Sequence, residues 1–297
     1  MYPKSFEYFR AKDVQDALFL LKSHQDAKII AGGQSLVPMM KLRVANPPKL
    51  IDISRLKELR YIKEDNSSST PMIHIGALTT HADVIESDVI NKRLPILSST
   101  ASNIGDVQIR ERGTVGGSIC HADPSADYFP TLLVLNASLV ARTFGGNRRS
   151  VPIGEFVVGP FETSLHENEL IEELAVPIYS GMGDVVKFAR RKADFALVSA
   201  AAILDYDPSK GNIRDFRLAI APQENSAVRL FKVEERIKNK RFSDFSELEK
   251  SIHSGLSEET LTFPGDLHGS SWYRSEILET IVVRLVRKLY EGKQEMH

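Results

Sequence analysis

The 297-residue chain has a single cysteine, Cys120, which rules out an internal disulfide. It also rules out an iron–sulfur cluster held within the chain by cysteines, which usually needs four. No apolar run approaches the ~20 residues of a membrane-spanning helix. The formal net charge is -1, so there is no electrostatic footprint for nucleic acid or for an anionic membrane. The eight histidines show no H-E-x-x-H or similar spacing, and no zinc site is expected. Residues 1–10 carry neither an apolar signal core nor a twin arginine, which points to the cytoplasm. The sequence shows no convincing internal repeat and no low-complexity tract. A hydrophobic share of 42% is ample for a buried core, and the length suggests two compact units.

What the sequence does have is two glycine-rich stretches, Ala31-Gly32-Gly33-Gln34-Ser35-Leu36 and Thr114-Val115-Gly116-Gly117-Ser118, about eighty residues apart. Each sets a Gly-Gly pair beside a hydroxyl residue. Adjacent glycines let a backbone turn tightly and approach a bulky ligand. Successive free N–H groups in such a turn form an anion-binding nest. The bland alternative is a turn that uses glycine only for its conformation. The first stretch is neither a Walker A loop nor a Rossmann G-x-G-x-x-G. Together they suggest one extended dinucleotide gripped from two sides.

Along the chain, Asp13 reads as the N-cap of a helix with Val14, Ala17, Leu18 and Leu21 on one face. Strands are expected at 27–31, 49–53 and 72–76, with a short helix at 35–42. Thr80 caps a helix over 81–86, and Pro95 opens another. Asp123-Pro124 resembles an N-cap with proline at the first helical position, launching an apolar segment to Leu135, although Pro130 would kink or delay it. A Gly145-Gly146-Asn147 turn joins two further strands. The organisation changes near residues 177–184. Beyond them come strands at 185–190, 196–206 and 213–221, then helices at 228–238, 245–252 and 271–290. The last helix carries an Ile277, Ile281, Leu285, Leu289 stripe. The C-terminal third reads as an antiparallel sheet with helices against one face.

Candidate chemistry is sparse. Asp123 and Asp127 would share one face of a helix. Asp123 suits a cap, whereas Asp127 either is solvated or accepts from sugar hydroxyls. Cys120 is a thiol nucleophile or a small core residue, and His121 is a polar lining residue. Arg190-Arg191-Lys192 reads as a charged strand end. Phe195 belongs to the core or lays its ring on a planar cofactor. Arg284, Arg287 and Lys288 form a solvated face.

At these residues the chain resembles the FAD-binding medium subunit of molybdenum hydroxylases, the carbon-monoxide-dehydrogenase and xanthine-dehydrogenase family. The resemblance rests on Pro3-Lys4-Ser5-Phe6-Glu7-Tyr8, both glycine loops, and Gln108-Ile109-Arg110. It continues through Asp123-Pro124-Ser125-Ala126-Asp127, Lys187-Phe188-Ala189-Arg190-Arg191 and Ser271-Trp272-Tyr273-Arg274. Within the family it looks nearest to medium chains of archaeal glyceraldehyde or aldehyde oxidoreductases.

The resemblance implies an α+β architecture. Residues 1–177 would form a two-subdomain FAD-binding domain of the PCMH type, divided near 55–60. Residues 178–297 would form a C-terminal domain with a three-stranded antiparallel sheet and helices. It implies that Ala31, Gly32, Gly33, Gln34, Ser35 and Leu36, with Thr114, Val115, Gly116, Gly117 and Ser118, hold the pyrophosphate and ribityl parts of FAD. It further implies an FAD-binding role for Asp127, an apolar contact from Ile171 and a basic one from Lys187. Phe195 stands where relatives place a tyrosine by the isoalloxazine, and Ser118 where many have asparagine.

In that family a large subunit carries the molybdenum cofactor and a small subunit carries two [2Fe–2S] clusters. Electrons pass through the clusters to FAD and on to an external acceptor. The single cysteine fits that division, and no residue of this chain need act as acid or base on the organic substrate. The competing readings are a self-sufficient flavin oxidase or reductase using Cys120 and His121, and a non-catalytic scaffold that binds a nucleotide or none.

Overall fold

The computed structural model describes residues 2–224 and 226–292. The chain divides into two compact units that interleave along the sequence. The first unit comprises Met1–Asn91, Asp106–Ala122 and Ala137–Pro177. The second comprises Lys92–Gly105, Asp123–Asn136 and Ile178–His297.

The first unit begins with a small parallel sheet. Strand β1 (Glu7–Arg10) and strand β2 (Ala27–Ile30) both flank β3 (Lys49–Asp52). The helix Val14–Ser23 joins β1 to β2 and buries Val14, Ala17, Leu18 and Leu21 against Ile51 and Ile53. Its start is fixed by Asp13, whose carboxylate accepts the Asp16 N–H at 2.8 Å. β1 is an outer strand with mostly exposed residues, so it carries little alternation for sequence reading to detect.

A five-stranded antiparallel sheet completes the unit. It runs in the order β4 (Ile62–Asp65), β5 (Met72–Gly76), β10 (Glu169–Pro177), β6 (Ser138–Thr143) and β7 (Arg148–Pro152). The small hairpin β8 (Val157–Gly159) and β9 (Glu162–Thr163) follows β7. The Thr80 hydroxyl accepts the Asp83 N–H at 3.1 Å, while the Asp83 carboxylate accepts the Thr80 N–H at 2.9 Å. This reciprocal capping box opens the helix His81–Glu86.

The second unit is built on a sheet ordered β11 (Met182–Phe188), β12 (Val198–Asp207), β13 (Asn212–Ala221) and β14 (Val228–Arg229). Three long strands are joined at one edge by the two-residue β14, where helix was expected from 228; the helix there is Phe231–Ile237. β11 starts at Met182, inside the expected linker. One face presents Val198, Ala200, Ala202 and Leu204 to the long helix Ser271–Gly292, through Leu278, Ile281, Leu285 and Leu289. Each such Leu or Ile side chain contributes about 1.5–3 kcal/mol when fully buried. Ile277 lies at the margin of this core rather than within it.

The expectation of helices against one face only is corrected. The opposite face of the sheet is lined by small residues, Ser199 and Ala201 on β12 opposite Ala221 and Ala219 on β13. That shallow surface accommodates the helices Pro95–Ser102 and Tyr128–Val134, contributed by segments that lie far upstream in the chain. The two helices are joined by a buried hydroxyl contact of 2.6 Å between Thr131 and Thr100. The Thr100 hydroxyl also donates to the Ile96 carbonyl, so Thr131 is the donor to Thr100. Among the described residues no helix is long and apolar enough to cross a membrane.

Candidate functional site

The first glycine loop leaves the carboxyl end of β2 and runs into the helix Leu36–Lys41. The carboxyl ends of parallel strands are where open α/β sheets place ligands. Gly33 has φ +73°, in the left-handed region that favours glycine. Gly32 is required for a different reason: a Cβ there would fall 2.0 Å from the Arg112 carbonyl oxygen. The carbonyls of this loop are used, since Gly33 accepts from Val37 at 3.2 Å, Ser35 from Met39 at 3.2 Å, and Gly32 from the Gln34 side chain at 3.2 Å. The N–H groups are not. Among the described residues, those of Gly32, Gly33, Gln34, Ser35 and Leu36 have no acceptor within the chain. Ser35 makes no side-chain cap, and Ala31 and its five followers are half-buried rather than enclosed. Five successive unengaged donors in a partly open turn suit the pyrophosphate of the implied FAD.

The second loop is built the other way. The Val115 N–H donates to the Thr79 carbonyl at 2.9 Å and the Gly116 N–H to the Ala77 carbonyl at 2.9 Å. The Gly117 N–H donates to the Thr114 hydroxyl at 3.1 Å, and the Ser118 N–H to the Thr114 carbonyl at 2.9 Å. Its backbone donors from Val115 to Ser118 are therefore already engaged. Gly116 serves close packing, because a Cβ would lie 2.7 Å from the Ala77 Cβ and 2.8 Å from the Ala77 oxygen. Gly117 is exposed, and its Cβ direction points past Thr114 toward Ala31, 3.8 Å away. The structure thus brings the two loops side by side, but only the first offers a backbone nest. Sequence reading treated them as equivalent, because glycine content does not reveal which N–H groups find partners.

The second loop is anchored by Thr79 and His81, which the sequence did not single out, and by Thr80, expected only as a helix cap. Thr79, buried, donates its hydroxyl to the Tyr61 carbonyl at 2.9 Å, and Thr80 bridges to Thr114. His81 donates its backbone N–H to the Gly113 carbonyl at 3.1 Å. Burial, with the nearby Arg110 charge, pushes the His81 imidazole down to about 4, so it is neutral near pH 7. Ile171 lies in the β10–β6 ladder opposite Ala141 and is fully buried there.

In the second unit Asp127 and Lys187 meet. The Lys187 ammonium donates to the Asp127 carboxylate at 3.0 Å and to the Asn103 carbonyl at 2.9 Å. Asp127 is 8% exposed. Burial pushes its carboxyl up to about 6 even though Lys187 opposes the shift. The expected helix from Asp123 is corrected. The Asp123 carboxylate accepts the Ser125 N–H at 2.8 Å and its carbonyl accepts the Ala126 N–H at 2.9 Å, closing a turn. The helix begins only at Tyr128, and Asp127 at its start makes no capping bond. Asp127 is thereby free to pair with Lys187 instead of sharing a helix face with Asp123.

Phe195 is not a core residue; it is 61% exposed, on the loop between β11 and β12. Arg190, Arg191 and Lys192 lie on the same exposed loop, beyond the end of β11 at Phe188. Arg284, Arg287 and Lys288 are exposed as expected. Cys120 is a free cysteine of intermediate exposure, and desolvation pushes its thiol up to about 12, which disfavours the thiolate a nucleophile needs. His121 sits against the Phe161 ring with centroids 5.2 Å apart. Among the described residues no cluster of His, Cys, Asp or Glu could hold a metal ion.

Comparison with known proteins gives a consistent picture. Residues 4–179 match the family described as the FAD binding domain in molybdopterin dehydrogenase. Residues 185–289 match the CO dehydrogenase flavoprotein C-terminal domain. The chain is 37% identical over 291 residues to a glyceraldehyde dehydrogenase medium chain of Sulfolobus acidocaldarius, covering 97% of this chain and 100% of that one. It is also 37% identical to the alpha subunit of the 6-hydroxypseudooxynicotine dehydrogenase complex of Paenarthrobacter nicotinovorans, covering 97% of this chain and 95% of that one. Among solved structures, a carbon monoxide dehydrogenase chain of Hydrogenophaga pseudoflava superposes with a TM-score of 0.90 at 34% identity, covering 98% of this chain and 99% of that one.

Proposed function

Because the chain belongs to the FAD-binding medium-subunit family of the molybdenum hydroxylases, and is therefore the flavoprotein component of a multi-subunit oxidoreductase, we propose that it is an electron relay. It takes electrons from the [2Fe–2S] clusters of a small partner subunit and delivers them through FAD to an external acceptor. A large partner subunit carries the molybdenum cofactor and oxidises the organic substrate, an aldehyde by analogy with the glyceraldehyde dehydrogenase relative. The complex works in the cytoplasm.

The observation that carries the reading is the run of five unengaged N–H groups at residues 32–36. Bound FAD supplies the acceptance and release of electrons; the protein supplies binding and orientation. In the first unit, Ala31, Gly32, Gly33, Gln34, Ser35 and Leu36 receive the pyrophosphate. Thr114, Val115, Gly116, Gly117 and Ser118 form the rigid wall beside it, with Gly117 leaving room and the Ser118 hydroxyl available to the ribityl chain. Ile171 backs that wall as an apolar residue. In the second unit, Asp127, Lys187 and Phe195 take the polar, basic and aromatic roles toward the flavin.

Purification from the native host, followed by flavin and metal analysis, tests this. The chain should co-purify with two partners, one molybdenum-containing and one iron–sulfur-containing, and with one noncovalent FAD released by acid. Isolation alone, with aldehyde turnover by the lone chain, would promote the self-sufficient flavoenzyme instead.

A further inference from the structure

The Trp272-Tyr273-Arg274 stretch carried the resemblance yet has no part in the relay described so far. Trp272 is exposed, but Arg274 is only 2% exposed, although it stands in the first turn of an amphipathic helix. A buried guanidinium is stabilising only when well paired. Arg274 Nη1 donates to the Leu197 carbonyl at 2.6 Å, and Nη2 to the Asp266 carboxylate at 2.7 Å. Among the described residues its Nε has no acceptor, so these two bonds define its placement.

Both partners lead back to one loop. Leu197 closes the segment between β11 and β12 by donating its N–H to the Phe188 carbonyl at 2.8 Å, and Phe195 projects from that segment. Asp266 holds a tight turn by accepting the His268 and Gly269 N–H groups at 2.8 and 3.0 Å. These donors and Arg274 keep its carboxyl below the usual carboxylate range, although burial opposes them. His268, on that turn, lies 3.1 Å from the guanidinium of Arg190, which is on the Phe195 loop. The loop is thus tied at its base by Arg274 directly, and along its length through the 266–269 turn. The two donors of Arg274 diverge toward a carbonyl and a carboxylate, a fork that a lysine ammonium cannot reproduce.

We propose that Arg274 is a positioning residue for the flavin, fixing the loop that presents Phe195 so that the attitude of that ring depends on the Arg274 fork. The inference rests on the reading above that Phe195 lies beside the isoalloxazine.

The test uses the full chain with FAD bound, as wild type, Arg274→Lys and Phe195→Tyr, and as Phe195→Tyr combined with Arg274→Met or Arg274→Lys. A tyrosine ring against the isoalloxazine quenches its fluorescence by donating an electron to the excited flavin, which phenylalanine cannot do. Phe195→Tyr should therefore lose most of the bound-flavin emission. Adding Arg274→Met should restore emission toward the wild-type level. In parallel, amide exchange over residues 189–197 should accelerate about tenfold in Arg274→Lys while β12 and β13 stay protected. Should the variant with Arg274→Met not fold, Arg274→Lys decides by both readouts. Full quenching retained when Arg274 is replaced in the Phe195→Tyr chain, or unchanged loop exchange, overturns the positioning role. Unchanged emission in Phe195→Tyr with FAD still bound overturns the placement of residue 195, and the inference with it; the exchange result then shows separately whether the fork holds the loop.

Discussion

Replacing Gly33 by alanine and, separately, Gly116 by alanine should split FAD binding from stability. At Gly33 the backbone is left-handed, at φ +73°, and an alanine there is disfavoured by about 1–2 kcal/mol. The new Cβ would also press on the Val37 methyl at 3.1 Å. The loop relieves both by rotating, which swings neighbouring N–H groups such as those of Gln34 and Ser35 away from the phosphates. A hydrogen bond to a charged group is worth about 1.5–3 kcal/mol, so two lost bonds amount to about 3–6 kcal/mol. At 1.4 kcal/mol per decade, Kd for FAD should rise by roughly 10²–10⁴, while Tm of the FAD-free chain falls only slightly. Gly116→Ala should do the reverse. Its Cβ would collide with the Ala77 backbone, which cannot yield as a side chain can. Overpacking of this kind costs about 1–3 kcal/mol of stability. Its N–H already donates to Ala77, so no phosphate donor is lost. Titration of the FAD-free chain with FAD, followed by flavin fluorescence, gives Kd; far-UV circular dichroism gives Tm. Equal loss of affinity in both variants with intact folding would refute the assignment of the nest to the first loop alone.

Asp127→Ala should destabilise the chain by about 3 kcal/mol or more, because it leaves the Lys187 ammonium buried with only the Asn103 carbonyl; a double variant with Lys187→Met should recover part of that loss in denaturant melts. The pH dependence follows from the raised Asp127 carboxyl. Its folded value of about 6 lies above the ordinary 3.8, so the folded state binds the proton more tightly. The resulting stabilisation is fully present below 3.8 and is lost as pH rises through about 6, a change on the order of 3 kcal/mol. Asp127→Asn should flatten that part of the Tm–pH curve, and an unchanged curve would show that another group titrates there. Cys120 should react with iodoacetamide at pH 8 far more slowly than a free thiol, since burial keeps it protonated; rapid alkylation of the folded chain would contradict this.

The legible parts of the fold were those in which a local signal coincides with the final environment. Asp13 and Thr80 cap the helices they were expected to cap, and the buried stripe at Val14, Ala17, Leu18 and Leu21 follows the sequence period. Strands too short or too exposed to alternate, β1 and β14, left no such signal. Asp123 carried a strong capping signature, but its carboxylate closes a local turn, and tertiary placement delays the helix to Tyr128. The composition of the second unit was illegible for another reason. The segments Lys92–Gly105 and Asp123–Asn136 join a sheet that begins only at Met182, on a face of Ser199, Ala201, Ala219 and Ala221 whose small side chains give no periodic signal. At the candidate site, the glycine positions were readable. The engagement of the second loop's N–H groups by Ala77, Thr79 and Thr114 was not, nor was the Arg274 fork, because both depend on partners distant in sequence or on local geometry.

The relay itself is tested most directly by rapid mixing of aldehyde with the assembled complex, in anaerobic buffer, while flavin and iron–sulfur absorbance are followed at separate wavelengths. The account predicts bleaching of the clusters and then of the flavin in the complex. It predicts no flavin bleaching when the isolated FAD-loaded chain meets the same aldehyde, although dithionite still reduces it. Flavin bleaching by aldehyde in the isolated chain, or cluster bleaching in the complex with the flavin left oxidised, would contradict it.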